Sequence, residues 1–177
     1  MSEQGTTQKL SEVHEFKTRV YLPTYDPCYV CGQKNPLGLQ MRFFIEDNED
    51  NIVKAEFTPK ENQLGYPGVV HGGVVSAIMD EIMGWPLTLL TKCLSVTTQL
   101  QIRFLKPVTI GQTYIVSAHA VNAERKLWKG RGEVRDKQGT LYIEGTGIYM
   151  PYSAEETQQM DLHLTYQPGD LRVFSPE

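Results

Sequence analysis

The feature that most limits what this chain can fold into is the segment from Gly73 to about Trp85. Val74, Val75, Ala77, Ile78, Met79, Ile82, Met83 and Trp85 put apolar side chains on nearly every face of a helix. Such a helix is surrounded by protein, so the rest of the chain must supply a wall around it. Gly84 and Pro86 are expected to end or kink it. Between His71 and Thr91 the only charges are the adjacent Asp80 and Glu81. An ionised group on a buried helix is costly unless it is paired or used, and this singles the pair out.

The wall reads as strands. In Leu39-Gln40-Met41-Arg42-Phe43-Phe44-Ile45 every odd position is apolar, and Val53, Ala55 and Phe57 alternate with Lys54, Glu56 and Thr58 after the turn-forming Asp47–Asn51. Beyond the helix, Val96, Thr98, Leu100, Ile102 and Phe104 alternate with Thr97, Gln99, Gln101 and Arg103. Three more strands are expected over 113–121, 126–135 and 141–149. Gly130 with Gly132, and Gly145 with Gly147, share a face, as expected where something packs close against a strand. Two strands, one buried helix and four strands predict an α+β fold in which one central helix is wrapped by a curved antiparallel sheet of about five to six strands. A sheet covered by one helix leaves apolar surface over, so a homodimer is expected, or two such dimers joined. Residues 1–26 read as a polar arm, 27–150 as the folded body, and 151–177 as a polar tail with a helical turn near 154–160.

A chain of 177 residues with net charge −4 suits one domain and lacks the concentrated basic face that nucleic acid requires. The first twenty residues hold no signal-peptide core, and no stretch is read as approaching the ~18 apolar residues of a membrane span. Three cysteines, an odd number, argue against a disulfide framework. The expected compartment is the cytoplasm, without a membrane partner. Cys28 and Cys31 form one CxxC. Structural zinc usually takes four ligands and Cys93 is the only other cysteine, so no metal is expected and the pair reads as packing under a tight turn. No cofactor is expected.

His71-Gly72-Gly73 stands just before the helix. Glycine lets a ligand approach the backbone, and the first helical amides have no internal partner. The helix dipole adds positive potential there, making a site suited to a developing oxyanion. An acid two turns further along cannot serve the same helix end, but in a symmetric dimer it can face the helix end of the other subunit.

His71-Gly72-Gly73 with Asp80 nine positions after the histidine resembles the signature of hotdog-fold acyl-CoA thioesterases of the phenylacetic-acid-degradation type. The flanks are similar too: Gly65-Tyr66-Pro67-Gly68-Val69-Val70 before it, Met79-Asp80-Glu81-Ile82-Met83-Gly84-Trp85 after it, and the strand Val96–Pro107 with Gly111. Cys28–Gly32 with Asn35-Pro36-Leu37-Gly38-Leu39 resembles a motif that opens the domain in some members. The resemblance covers about residues 28–150. It implies hydrolysis of an acyl-CoA to free acid and coenzyme A at a dimer interface. The Gly72 amide, with or without that of Gly73, would hold the oxyanion. Asp80 would act as general base or as nucleophile. His71 would orient the thioester or simply the loop, and Thr97 would place a hydroxyl near the water or serve only as a strand residue. Glu81 is the rival of Asp80, since adjacent helix positions point about 100° apart and only one is expected to face the cleft. Lys126, Lys129 and Arg131 would meet the phosphates of coenzyme A unless they form a solvated strand face. The alternative on the same fold is a non-catalytic acyl-CoA binding module. A hotdog hydratase ranks lower, because no histidine follows Asn35-Pro36 in the hydratase pattern.

Overall fold

A computed structural model describes residues 18–47, 51–124 and 126–174. In chain order its elements are β1 (Arg19–Tyr21), β2 (Phe44–Glu46), β3 (Ile52–Phe57), a 3-10 turn at Glu61–Gln63, β4 (Leu64–Tyr66), β5 (Val69–Val70), α1 (Gly72–Thr91), β6 (Ser95–Phe104), β7 (Tyr114–Asn122), β8 (Trp128–Asp136), β9 (Leu141–Pro151) and α2 (Ala154–Asp161). Seven strands form one antiparallel sheet in the order β1-β2-β3-β7-β8-β9-β6, and β4 and β5 form a separate two-stranded ribbon. This is the α+β, helix-on-curved-sheet architecture expected from the sequence, with a larger sheet than the five to six strands expected. The additional strand β1 comes from the segment read as an arm, and its three residues are too few to show a period.

Helix α1 crosses the sheet and carries the centre of the core. Ile78, Met79, Ile82, Met83 and Leu87 are fully buried, each worth about 1.5–3 kcal/mol of hydrophobic stabilisation. The helix runs on to Thr91, so it does not end at Gly84 or Pro86, which were expected to end or kink it. Proline lacks the amide that would bond the carbonyl of Ile82, but burial of Trp85, Pro86, Leu87 and Thr88 carries the helix on. Thus extended, α1 has 20 residues and mean hydropathy 1.3 over its most apolar window, long and apolar enough by those two measures to cross a membrane. This corrects the reading that no stretch approaches that length. Half of that window is enclosed by the surrounding sheet and loops.

The glycine pairs act as expected. A Cβ at Gly130 would lie 2.5 Å from the Met83 carbonyl oxygen, and one at Gly132 2.9 Å from Met83 Cγ. The absence of side chains on β8 is therefore what lets α1 sit this close. Gly130→Ala should cost about 1–3 kcal/mol of stability, because a backbone carbonyl rather than a flexible side chain must give way. Chemical denaturation would measure it; an unchanged midpoint would mean that the helix is not held at this distance.

Two strand readings need correction. Leu39, Met41 and Phe43 are buried as predicted, but strand β2 starts only at Phe44, because Gln40 takes a positive φ of 54° that breaks extended backbone. In β6 the pairing with β9 slips between Thr97 and Gln99. A bulge of this kind moves all later side chains to the other face. Leu100 and Ile102 therefore share the core side with Thr97, whereas Val96, before the bulge, faces out; Phe104 stands opposite buried Ile143 at the strand end and is exposed there.

The C-terminal segment packs back onto the body. Thr24 and Thr165 form a reciprocal bridge, the Leu171 amide donates to the Tyr21 carbonyl, and Arg42 pairs with Asp170 at 2.6 Å.

Candidate active site

The N-terminus of α1 is shaped by its cap. His71 is extended (φ −61°, ψ 131°), and its Nδ1 accepts a hydrogen bond from the Gly73 amide at 2.9 Å. The His71 carbonyl accepts from Val74, and its own amide donates to the Gln63 carbonyl at 2.8 Å. The Gly73 amide is thus engaged by the histidine ring, while the Gly72 amide has no hydrogen-bond partner among the described residues. Gly72 faces a cleft of about 290 Å³ with Tyr66, Val75, Phe104 and Lys106 among its walls. A Cβ on Gly72 would meet the Phe104 ring at 3.5 Å. His71 therefore acts on the helix end by capping it, and the unpartnered amide belongs to a residue that lines this cleft.

Asp80 lies eight residues further on, about 12 Å along the helix axis and about 80° around it from Gly72. Thr97 Oγ1 donates to Asp80 Oδ1 at 2.6 Å, and Tyr149 Oη donates to the Asp80 main-chain carbonyl at 2.8 Å. The β6 bulge is what aims Thr97 at the helix while keeping Leu100 and Ile102 on the core side. Tyr149, missed in the sequence, is buried beneath Asp80, and its phenol is held above its ordinary pKa chiefly by that burial. Its signal was the inward series Gly145, Gly147, Tyr149: a Cβ at Gly147 would come 2.5 Å from the ring.

Asp80 and Thr97 line a cavity of about 280 Å³ whose other walls include Tyr25, Cys28, Glu81, Trp85 and Leu164. Asp80 and Glu81 both face it, contrary to the expectation that only one would. The cavity spans the arc between β6 and the loop at Cys28, wide enough to take in two adjacent helix positions. Burial raises the Glu81 carboxyl to about 8, and nearby Cys28 adds to the rise. Cys28 Sγ donates to Glu81 Oε2 at 3.2 Å. The Cys31 thiol and the amides of Cys31 and Val30 pull the Cys28 thiol down to about 5, while Cys31 itself is pushed up by its contact with Cys28 and by burial.

The predicted cations are not gathered at this site. Lys129 and Arg131 alternate with the inward Trp128, Gly130 and Gly132, so they stand on the face of β8 turned away from α1, and Lys126 is exposed. Arg131 lies 3.5 Å from Glu144. The cation beside the Gly72 cleft is Lys106, whose ammonium sits over the Tyr142 ring. Of the other histidines, His119 lies on β7, His163 follows α2, and His14 falls outside the described residues.

A central helix on a curved antiparallel sheet, with a free amide at the helix start and an acid two turns along, defines the hotdog class. Residues 67–143 match the family model of the thioesterase superfamily. The acyl-coenzyme A thioesterase THEM5 of Mus musculus is 30% identical over 124 residues, which cover 69% of this chain and 49% of that protein. The chain thus spans about half the length of this relative. Among solved structures, a thioesterase protein from Streptococcus pneumoniae with coenzyme A superposes with TM-score 0.55 at 21% identity, covering 59% of this chain and 80% of that one. The E. coli PaaI protein superposes with TM-score 0.58 at 16% identity, covering 65% and 81%. The chain thus has the hotdog fold, and its residues 67–143 are similar to the thioesterase superfamily.

Proposed function

We propose that this protein hydrolyses an acyl-CoA thioester to a free acid and coenzyme A, at a site shared by two copies of the chain. The observation that carries the reading is the layout of β6. This ten-residue strand stands at the sheet edge, with β9 its only strand partner among the described residues. It carries one charge, and Val96 and Phe104 are exposed on it. An edge of this length with a single charge is a template for pairing. At its start lies Thr97, bonded to Asp80; at its end lies Phe104, beside the Gly72 amide. Antiparallel pairing of two β6 strands sets the start of one against the end of the other. Asp80 would then meet the partner's Gly72, which the 12 Å separation along one helix forbids within a single chain.

In the resulting site the thioester oxygen takes the Gly72 amide, and the helix dipole adds to its pull. Thr97 occupies Oδ1 of Asp80 and leaves Oδ2 for the reaction. As base, Asp80 removes a proton from water as the water oxygen bonds to the acyl carbon. As nucleophile, it bonds to that carbon itself and water later releases the acid. In both routes the C–S bond breaks and coenzyme A leaves as its thiol once protonated. The acyl group would occupy the cavity beside Trp85 and Tyr25.

Thiol release by the full chain across short, long and aromatic acyl-CoAs tests the reading. Turnover of a subset is expected. A folded protein that binds acyl-CoA and releases thiol from none would instead be an acyl-CoA binding module. Thr97→Val removes a hydrogen bond to a carboxylate, worth about 1.5–3 kcal/mol. It should lower kcat roughly tenfold or more with little change in KM; an equal kcat would leave Thr97 a strand residue only.

A further inference from the structure

Cys28, Cys31 and Glu81 bring two thiols and a carboxylate to one wall of the Asp80 cavity, and the hydrolysis proposed above uses none of them. Their ligand atoms all lie within 4.8 Å of one another. We propose that these three residues bind a divalent cation of the zinc class, with the fourth coordination position open to the cavity that holds Asp80.

The donor set and its geometry argue for this together. Two sulfurs and one carboxylate oxygen suit a borderline-soft ion such as Zn²⁺ and not Ca²⁺ or Mg²⁺, which take oxygen. Around a tetrahedral ion with Zn–S of about 2.3 Å and Zn–O of about 2.1 Å, neighbouring donors stand about 3.5–3.8 Å apart. The Cys28–Glu81 pair stands at 3.2 Å, close to that separation, and the remaining donor pairs lie within 4.8 Å.

The loop also turns backbone amides toward both sulfurs. The amides of Val30 and Cys31 point at Cys28 Sγ (3.2 and 3.5 Å), and the Tyr25 amide points at Cys31 Sγ (3.4 Å). This tight wrap depends on Gly32, where a Cβ would come 2.3 Å from the carbonyl oxygens of Asp26 and Cys28. Asn35 secures the turn through bonds to the carbonyls of Pro27 and Cys28. The third ligand comes from a different element, 53 residues away on the rigid helix α1. Sequence spacing gave only the CxxC, two ligands of a site that needs three; Glu81 completes it through the fold.

Three protein ligands and one open position form the pattern of zinc sites that bind water or substrate, whereas purely structural sites are closed by four. All three ligands line the cavity, which gives the ion a route in. Binding displaces the thiol protons to solvent and draws the Glu81 carboxylate to the metal.

The full chain, reduced and stripped with a chelator, should take up one Zn²⁺ per chain. Co²⁺ in its place should give thiolate-to-metal charge-transfer absorption and the intense visible bands of a tetrahedral site. Glu81→Gln should weaken uptake by at least about tenfold, Cys28→Ser should abolish the charge-transfer band, and Cys93→Ser should change neither. Should Cys28→Ser fail to fold, the wild-type stoichiometry and Glu81→Gln still decide. Absence of the charge-transfer band in the wild type overturns the proposal, as does Zn²⁺ uptake that Glu81→Gln leaves unchanged. A Cys28–Cys31 disulfide trapped by thiol blocking at the moment of lysis would also overturn it. None of these readouts involves turnover, so a chain that binds zinc but hydrolyses no thioester would sink only the functional reading.

Discussion

Asp80→Asn should lower kcat for thiol release by about 10²- to 10⁴-fold, the range spanned when a positioned acid–base group is lost. The substitution is close to isosteric. Asn keeps an oxygen that can accept the Thr97 hydroxyl, and the Tyr149 bond to the main-chain carbonyl of residue 80 does not involve the side chain. What disappears is a group able to take a proton or to attack carbon. Circular dichroism and denaturation should therefore be unchanged while the rate collapses. Wild-type turnover in the mutant would remove Asp80 from the chemistry.

Gly72→Pro should lower kcat by about 10²- to 10³-fold, the loss that follows removal of one oxyanion donor. Proline is ordinarily a drastic probe, yet this is the first helical position, where its missing amide breaks no helix bond. The preceding residue must be extended, and His71 already is, at φ −61° and ψ 131°. The new Cβ meets Phe104 at an ordinary 3.5 Å. Gly72→Ala adds the same carbon but keeps the N–H, so it should retain most of the rate. Equal loss in both variants would assign the effect to crowding instead of the amide. Mixing the two inactive proteins sharpens the test. If Gly72 and Asp80 of one site come from different chains, a heterodimer of Asp80→Asn and Gly72→Pro chains holds one intact site. Activity should return toward half the wild-type value per dimer. With both groups from one chain, no site would be intact and mixing would restore nothing.

The elements legible in the sequence were those whose period is long and whose burial is one-sided or complete. Helix α1 shows itself by apolar residues on all faces, and β3, β7, β8 and β9 by alternation. The features that escaped each depend on a contact that local pattern does not encode. The path of α1 through Pro86 is decided by burial of Trp85 and Leu87, which outweighs a single lost hydrogen bond. The β6 bulge puts Thr97 on the same face as Leu100 and Ile102, so the alternation that located the strand placed Leu100 and Ile102 inward correctly but Val96 and Thr98 wrongly. At the candidate site, Thr97 donates to Asp80 Oδ1, a contact that residue spacing does not encode. The engagement of the Gly73 amide by His71 follows from a rotamer, and the approach of Glu81 to Cys28 from tertiary folding; spacing reveals neither. Lys129 and Arg131 could be placed on a strand, but which face of the sheet they occupy relative to α1 is fixed only when the sheet is assembled.

The wall of the Asp80 cavity has two origins. Asp80, Glu81, Trp85 and Thr97 lie within the 67–143 stretch common to the superfamily, whereas Tyr25, Cys28, Cys31, Tyr149 and Leu164 come from the sequence on either side, where the bridge between Thr24 and Thr165 ties the outer segments together. Reactive groups and much of the container are thus encoded in separate stretches of the chain. Under the function proposed above, change in the outer stretches would remodel the shape offered to an acyl group without disturbing Asp80 and Thr97.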